Sequence, residues 1–327
     1  QNDQLDMCAK KKKMIYDSDE WLMPYKEVID KRHQMILDTR DRLSVDGSLA
    51  KGMNNHIYYG LHRDNDGNWV FREWAPNATA IYLIGDFNQW QKNEKYRLEP
   101  QGNGVWELKI GEKYIQHGDL YKLHVEWYGG AGERIPAWCR RVVQDEETKI
   151  FSAQVWQPEQ EYKFRIRKFH PTKAPLMIYE CHIGMAAEEE KVGTYNEFRE
   201  NILPRIAQAG YNCIQIMAIQ EHPYYGSFGY HVSSFFAPSS RFGTPEELKR
   251  LIDEAHKLGI AVIMDIVHSH AVKNEIEGLG RFDGTPYQYF HGGDRREHPA
   301  WDSLCFNYAK NEVMHFLLSN CKYWIEE

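Results

Sequence analysis

Asp265, His268 and His270 close the run Ala261-Val-Ile-Met-Asp-Ile-Val-His-Ser-His270, where one carboxylate and two imidazoles end an otherwise apolar stretch. A continuous apolar run of this length reads as a strand buried on both faces, as in a parallel sheet covered by helices. Ionisable groups at the end of such a strand are costly unless they are hydrogen-bonded or used in chemistry. In a (β/α) barrel, polar residues at the carboxyl ends of strands form the active face. The two histidines could ligate a metal, since alternate residues of an extended strand share a face. No third ligand with suitable spacing is evident, however, and no metal or other cofactor is expected. Substrate contact and plain packing remain as the competing roles.

Aromatic residues are the compositional oddity. The chain holds 20 Tyr and 10 Trp, and many fall in polar surroundings. Exposed flat rings with polar neighbours suit sugars, whereas buried ones are core, so placement must decide.

The elements that carry these residues fall into blocks. From Ser18 to about Leu43 the pattern is helical, with Ser18 or Asp19 as N-cap and Val28, Ile29, Met35, Ile36 and Leu43 as the apolar face. Residues 1–50 form this N-terminal tail and helix. Across 51–150, short runs such as Trp69–Trp74, Ala80–Ile84, Val105–Ile110 and Tyr121–Trp127 alternate with turn signals, which predicts an antiparallel β-sandwich. Residues 151–172 read as a linker.

From residue 173 the rhythm is strand, helix, strand. Leu176–Glu180, Asn212–Ile219 and Ala261–Val267 are the strands. Thr194 with Glu197, and Thr244 with Pro245 and Glu247, open helices as capping motifs, Pro204 bends or restarts the first, and Asn311–Glu327 is a last helix. Successive βαβ units give a parallel sheet. Three strands fall far short of a closed barrel and would leave a raw apolar edge, so either the chain is an incomplete piece or the fold is open and smaller.

At 327 residues, 42% hydrophobic and 27% charged, the chain is an ordinary globular one of more than one domain. A net charge of −7 speaks against nucleic acid or anionic membrane as the main partner. The basic run Lys10–Lys13 reads as a solvated tail. Six scattered cysteines without a C-x-x-C pair suit a reducing cytoplasm, and no apolar stretch approaches the roughly 20 residues of a membrane span.

The block Asp265-Ile-Val-His-Ser-His270 resembles the first conserved motif, D-x-x-x-x-H, of the α-amylase superfamily. Tyr179-Glu-Cys-His-Ile-Gly184, Gly210–Ile219, Glu221–Tyr230 and Phe235–Leu248 are similar to the 1,4-α-glucan branching enzymes in their eukaryote-like subgroup. Glu73-Trp-Ala-Pro76 and Gly85-Asp-Phe-Asn-Gln-Trp90 look like that family's glucan-binding β-sandwich. The resemblance runs from about residue 18 to the last residue. It implies a multidomain fold: N-terminal helix, carbohydrate-binding sandwich, then the first part of a (β/α)8 TIM barrel.

The resemblance implies a retaining transfer of an α-1,4-glucan chain to a 6-hydroxyl, in glycogen biosynthesis, by a protein that is a monomer at full length. Such chemistry needs two carboxyl groups about 5–5.5 Å apart. The family's nucleophile, acid/base and stabilising acid all fall after the position of Glu327, so none is assigned here and these residues alone are expected to be inactive. The resemblance gives His270 a hydrogen bond to the sugar, Tyr230 a stacking face, and Asp265 the part of a structural acid. In the sandwich, Trp74, Trp90 and Trp106 are candidate platforms, with Lys122 and Glu99 as hydrogen-bonding partners. Ala75 and Pro76, and the helical patch Glu312, Val313, Met314 and His315, are further glucan contacts. Two alternatives stand beside this reading: a debranching, isoamylase-like relative, and a glucan-binding module without catalysis.

Overall fold

The computed structural model describes residues 13–327, so nearly all of the basic run 10–13 lies outside the described residues. The chain divides into two compact units, Gln1–Gly52 and Met53–Glu327. In the first, Asp19 rather than Ser18 caps, its carboxylate accepting from the Trp21 amide at 3.0 Å. Pro24 lies in a 3-10 segment, Glu20–Tyr25, and the regular helix α1 (Lys26–Leu43) begins only after it. Within this unit Val28, Met35 and Ile36 on α1 are more than half exposed. A short α2 (Leu49–Gly52) follows.

The second unit opens with α3 (Asn55–Tyr58) and a sandwich of two sheets. One sheet orders β1 (Gly60–Arg63), β2 (Trp69–Trp74), β5 (Val105–Ile110) and β4 (Glu99–Gly102), all antiparallel. The other orders β3 (Ala78–Gly85), β6 (Leu120–Trp127), β9 (Phe151–Gln154) and β8 (Val142–Gln144), with β7 (Gly130–Arg134) also on β6. The long alternating strands fall where the pattern places them. β1, β4 and β7 escape it because they are short and hold Gly or Pro, as edge strands often do. Phe151–Gln154, within the segment read as linker, is buried and paired to β6 and β8.

The rest of that segment is strapped to the barrel part. Asp253, fully buried, accepts from the Tyr162 hydroxyl at 2.5 Å, from Arg165 Nε at 2.9 Å and from the Arg165 and Ile166 amides. Burial alone would raise this carboxyl, but these donors outweigh it and hold it well below the usual range.

Three parallel strands form the last sheet, in the order β10 (Ile178–Cys181), β11 (Cys213–Ile216), β14 (Ala261–Met264). Between β10 and β11, α4 (Tyr195–Glu197) is capped by Thr194 as expected. A π-helical turn, Phe198–Ile202, then leads into α5 (Leu203–Gln208). Pro204 has no N–H for the usual i−4 bond, which accounts for the wider turn. β12 (Gln220–Glu221) and β13 (Ser234–Pro238) form a hairpin, and α6 (Pro245–Lys257) carries the Thr244–Glu247 capping box. β14 stops at Met264, three residues short of the strand expected. β15 (His270–Ala271) pairs with β17 (Ser303–Cys305), which pairs with β16 (Glu297–His298), and α7 (Asn311–Glu326) ends the chain.

The sandwich and the barrel part are not separately cored. One cluster of buried side chains joins Trp69, Trp106 and Trp138 to Phe235, Phe290 and Phe316. Arg141, on the sandwich side, donates to the Gly243 carbonyl at 2.6 Å. In the three-strand sheet Met177, Ile178 and Ile263 remain exposed, the apolar margin the strand count predicts.

Candidate functional site

At the carboxyl end of the parallel sheet, Asp265 follows β14 directly. Its two oxygens are both engaged: Gln215 Nε2, from β11, donates to Oδ1 at 3.0 Å, and the Tyr230 hydroxyl donates to Oδ2 at 2.9 Å. The carboxylate thus fixes two polar side chains. Tyr230 is half-buried, and burial together with Asp265 pushes its hydroxyl up to about 12. Gly229 sets the backbone just before it at φ +90°, where an added Cβ would lie 1.8 Å from the Ala218 carbonyl oxygen. Only glycine fits there, so the ring of Tyr230 is presented in one orientation.

His270 is 7% exposed, and both ring nitrogens have partners within the chain. Nε2 lies 2.9 Å from the Tyr230 carbonyl oxygen and Nδ1 lies 2.8 Å from Ser269 Oγ. A carbonyl only accepts, so Nε2 carries the proton and Nδ1 accepts from the serine. Burial lowers the imidazole's pKa, keeping it neutral. The donor expected to meet a sugar is therefore spent on the backbone that carries Tyr230, and in this state His270 positions rather than touches.

His268 turns elsewhere. Its Nε2 meets Asn320 Oδ1 of α7 at 2.8 Å, so it shares no site with His270. The shared face expected for the pair fails because the strand ends at Met264. Among the described residues, no three His, Cys, Asp or Glu side chains gather as metal ligands. Asn320, fully buried, also accepts from Gln220 Nε2 at 3.0 Å and donates to the Phe235 carbonyl at 2.7 Å. This network holds residues 265–270 against α7. Gln215, Gln220 and Asn320 escaped the sequence reading. The signal available was a polar residue interrupting an apolar run, as in Cys213-Ile-Gln-Ile216.

The sandwich carries a second site. The turn after β3 takes Gln89 and Trp90 through left-handed conformations, φ +56° and +59°, which non-glycine residues rarely adopt. Asp86 braces the turn, accepting from Trp90 Nε1 at 3.0 Å and from the Leu120 amide at 2.8 Å. Trp90 and Lys122 line a broad cleft of about 1070 Å³ with Glu133, Arg141 and Gln154. Lys122, almost buried, pairs with Glu133 at 3.0 Å, and its ammonium lies 5.9 Å from the Trp90 ring centre.

The other sandwich candidates sort differently. Trp106 is 7% exposed and donates to the Ala75 carbonyl at 3.0 Å. It is a core residue, because its face of β5 points between the sheets, and cannot be a surface platform. Ala75 is fully buried. Glu99 lies exposed on β4, in the other sheet and opposite Glu107, outside the cleft of Trp90 and Lys122. Trp74, 8% exposed, packs edge-on to Tyr289 at 5.4 Å. It nevertheless contributes to a small hollow of about 100 Å³ with Tyr59, Glu312 and His315. The structure thus brings two distant sequence candidates, 74 and 312–315, to one place. Pro76 is exposed, Glu312 exposed, and Met314 and His315 partly so, whereas Val313 is fully buried and faces the core.

Comparison with known proteins fits this geometry. Residues 58–139 match the family model for carbohydrate-binding module 48 (isoamylase N-terminal domain). Residues 189–299 match the model for the α-amylase catalytic domain. The chain is 46% identical over 323 residues to a 1,4-alpha-glucan-branching enzyme of Dictyostelium discoideum, covering 96% of this chain and 47% of that one. It is 46% identical to the enzyme of the same name from Yarrowia lipolytica, covering 96% and 46%. The chain therefore spans about half the length of the curated relatives it matches. Among solved structures, it resembles the catalytic module of the multi-modular glycogen-degrading pneumococcal protein SpuA with a TM-score of 0.67. That match is 18% identical and covers 88% of this chain and 46% of that one, which speaks to fold alone.

Proposed function

We propose that the protein is a member of the 1,4-alpha-glucan-branching enzyme family, which it matches along 96% of its own length, and that it makes branched α-glucan in glycogen biosynthesis. An α-1,4 link is cleaved by a retaining double displacement, and the released chain passes to a 6-hydroxyl of another glucan instead of to water. The observation that carries this reading is the fixed Tyr230–Asp265 pair at the carboxyl end of the parallel sheet, in a chain that also holds a carbohydrate-binding sandwich. Tyr230 offers its ring face to the sugar at the cleavage site. Asp265 fixes that ring through its hydroxyl, and His270 fixes the backbone behind it.

In this reading glucan is held at the Trp90–Lys122 cleft and at the hollow lined by Trp74, Glu312 and His315. The cell compartment is the cytoplasm and the working form a monomer. Incubating the intact protein with linear amylose tests the proposal. New α-1,6 links, counted by proton NMR, support it. Unchanged amylose, or loss of α-1,6 links from a branched substrate, overturns it and favours the debranching reading.

A further inference from the structure

One aromatic beside the Tyr230 pair is unused by the reading above. Trp301 lies in the tip of the β16–β17 hairpin, 53% exposed. A lone exposed tryptophan is ordinary on a protein surface. This one is held by three independent anchors. Its ring stacks flat on His298, centroids 4.1 Å apart and planes within 6°. Its carbonyl accepts from Nε2 of His231, the residue after Tyr230, at 2.9 Å. Its loop is clamped by Lys273, which reaches Glu297 at 2.8 Å and Asp302 at 2.5 Å, with Asp302 itself at φ +44°. β17 also pairs with β15, so that His270 and Trp301 rings come within 5.2 Å.

A flexible loop tip would hide or average such a ring; this one is fixed and left open. Fixing an aromatic before binding removes the ordering cost that binding would otherwise bear. Its ring lies 5.2 Å from that of His270, whose Nε2 in turn meets the Tyr230 carbonyl at 2.9 Å. We propose that Trp301 is a second sugar platform, stacking on the glucosyl unit next to the one at Tyr230, and that it governs capture of the α-glucan chain while leaving the bond-breaking step alone. The proposal rests on the glucan-active reading of the Tyr230 site.

The test compares Trp301→Ala and Trp301→Phe with the parent in the intact protein. Expected for Trp301→Ala is a roughly tenfold rise in KM for amylose with kcat within about twofold, and an unchanged melting temperature. Trp301→Phe should recover most of the KM, since a flat ring returns. An unchanged KM in Trp301→Ala overturns the proposal. So does a joint fall of kcat, kcat/KM and melting temperature that Phe fails to rescue, because that pattern belongs to lost packing. If the parent makes no branches, the functional reading fails on its own. Calorimetric titration with maltoheptaose then decides the platform separately: weakened binding in Trp301→Ala supports it, and equal binding overturns it.

Discussion

The Trp90 cleft and the Tyr230 site handle their aromatic rings by opposite means. Trp90 is half-buried on a strained turn that lines a broad cleft of the sandwich, with a buried lysine at its side. Tyr230 is recessed, its hydroxyl and backbone both consumed by neighbours at the end of an open parallel sheet. A ring lining a broad open cleft can hold a sugar wherever a chain passes. A recessed, doubly fixed ring holds one sugar in one pose, which is what orientation at a reacting bond requires. Losses at the first should therefore read as affinity, and losses at the second as rate.

Four substitutions test that contrast. Trp106→Ala should cost the most, about 3–5 kcal/mol of stability in a thermal or urea melt, since it empties a core position shared by both regions. A mild effect on folding with a large loss of glycogen retention would return Trp106 to the binding surface. Asp265→Ala releases Tyr230 and Gln215 together, and branching by the intact protein should fall about 100-fold through misplaced substrate. Glycogen retention should stay near parental, and a fall in retention equal to the fall in rate would erase the distinction between the sites.

Glu73 tests the sandwich from within. It is fully buried, accepts from the Trp74 and Ala137 amides, and burial pushes its carboxyl from 4.5 to about 8. Below pH 4.5 the group is neutral whether the chain is folded or unfolded. Between 4.5 and about 8 unfolding releases its proton, so rising pH favours the unfolded chain by up to ~1.4 kcal/mol per unit. Melts from pH 6 to 8 should show stability falling, and Glu73→Gln should flatten that slope. Trp90→Ala should be the gentlest: retention on glycogen about five- to tenfold weaker, with an unchanged melt. Equal retention would make the strained turn a structural feature only.

What the sequence revealed, and what it hid, follows from these environments. Alternation marked β5 because one face of it meets the core, whereas β2 and much of β6 were marked by dense apolar and aromatic residues buried on both faces. β1, β4 and β7 carried too few apolar residues, and too much Gly or Pro, to leave a period. Asp265 stood out as a carboxylate closing an apolar run, and both its oxygens are occupied. The roles given to His270 and Trp106 were not, because neither the partner of a ring nitrogen nor the side of a strand facing the second sheet is written locally. Glu99 and Lys122 look alike as polar residues on strands, yet pairing sends them to different sheets. Trp74 and the 312–315 patch are far apart in the chain, and only folding shows that they border one hollow.

The sandwich and the barrel part share one buried core, and Arg141 pins one to the other at Gly243. The two rings proposed to meet glucan, Trp90 and Tyr230, are then like two marks on a ruler. A chain gripped at Trp90 does not swing on a tether but arrives at Tyr230 from a set distance and direction. Its local concentration there is set by that geometry and not by how dilute the polymer is. Lengthening the join would blur the ruler without touching either mark.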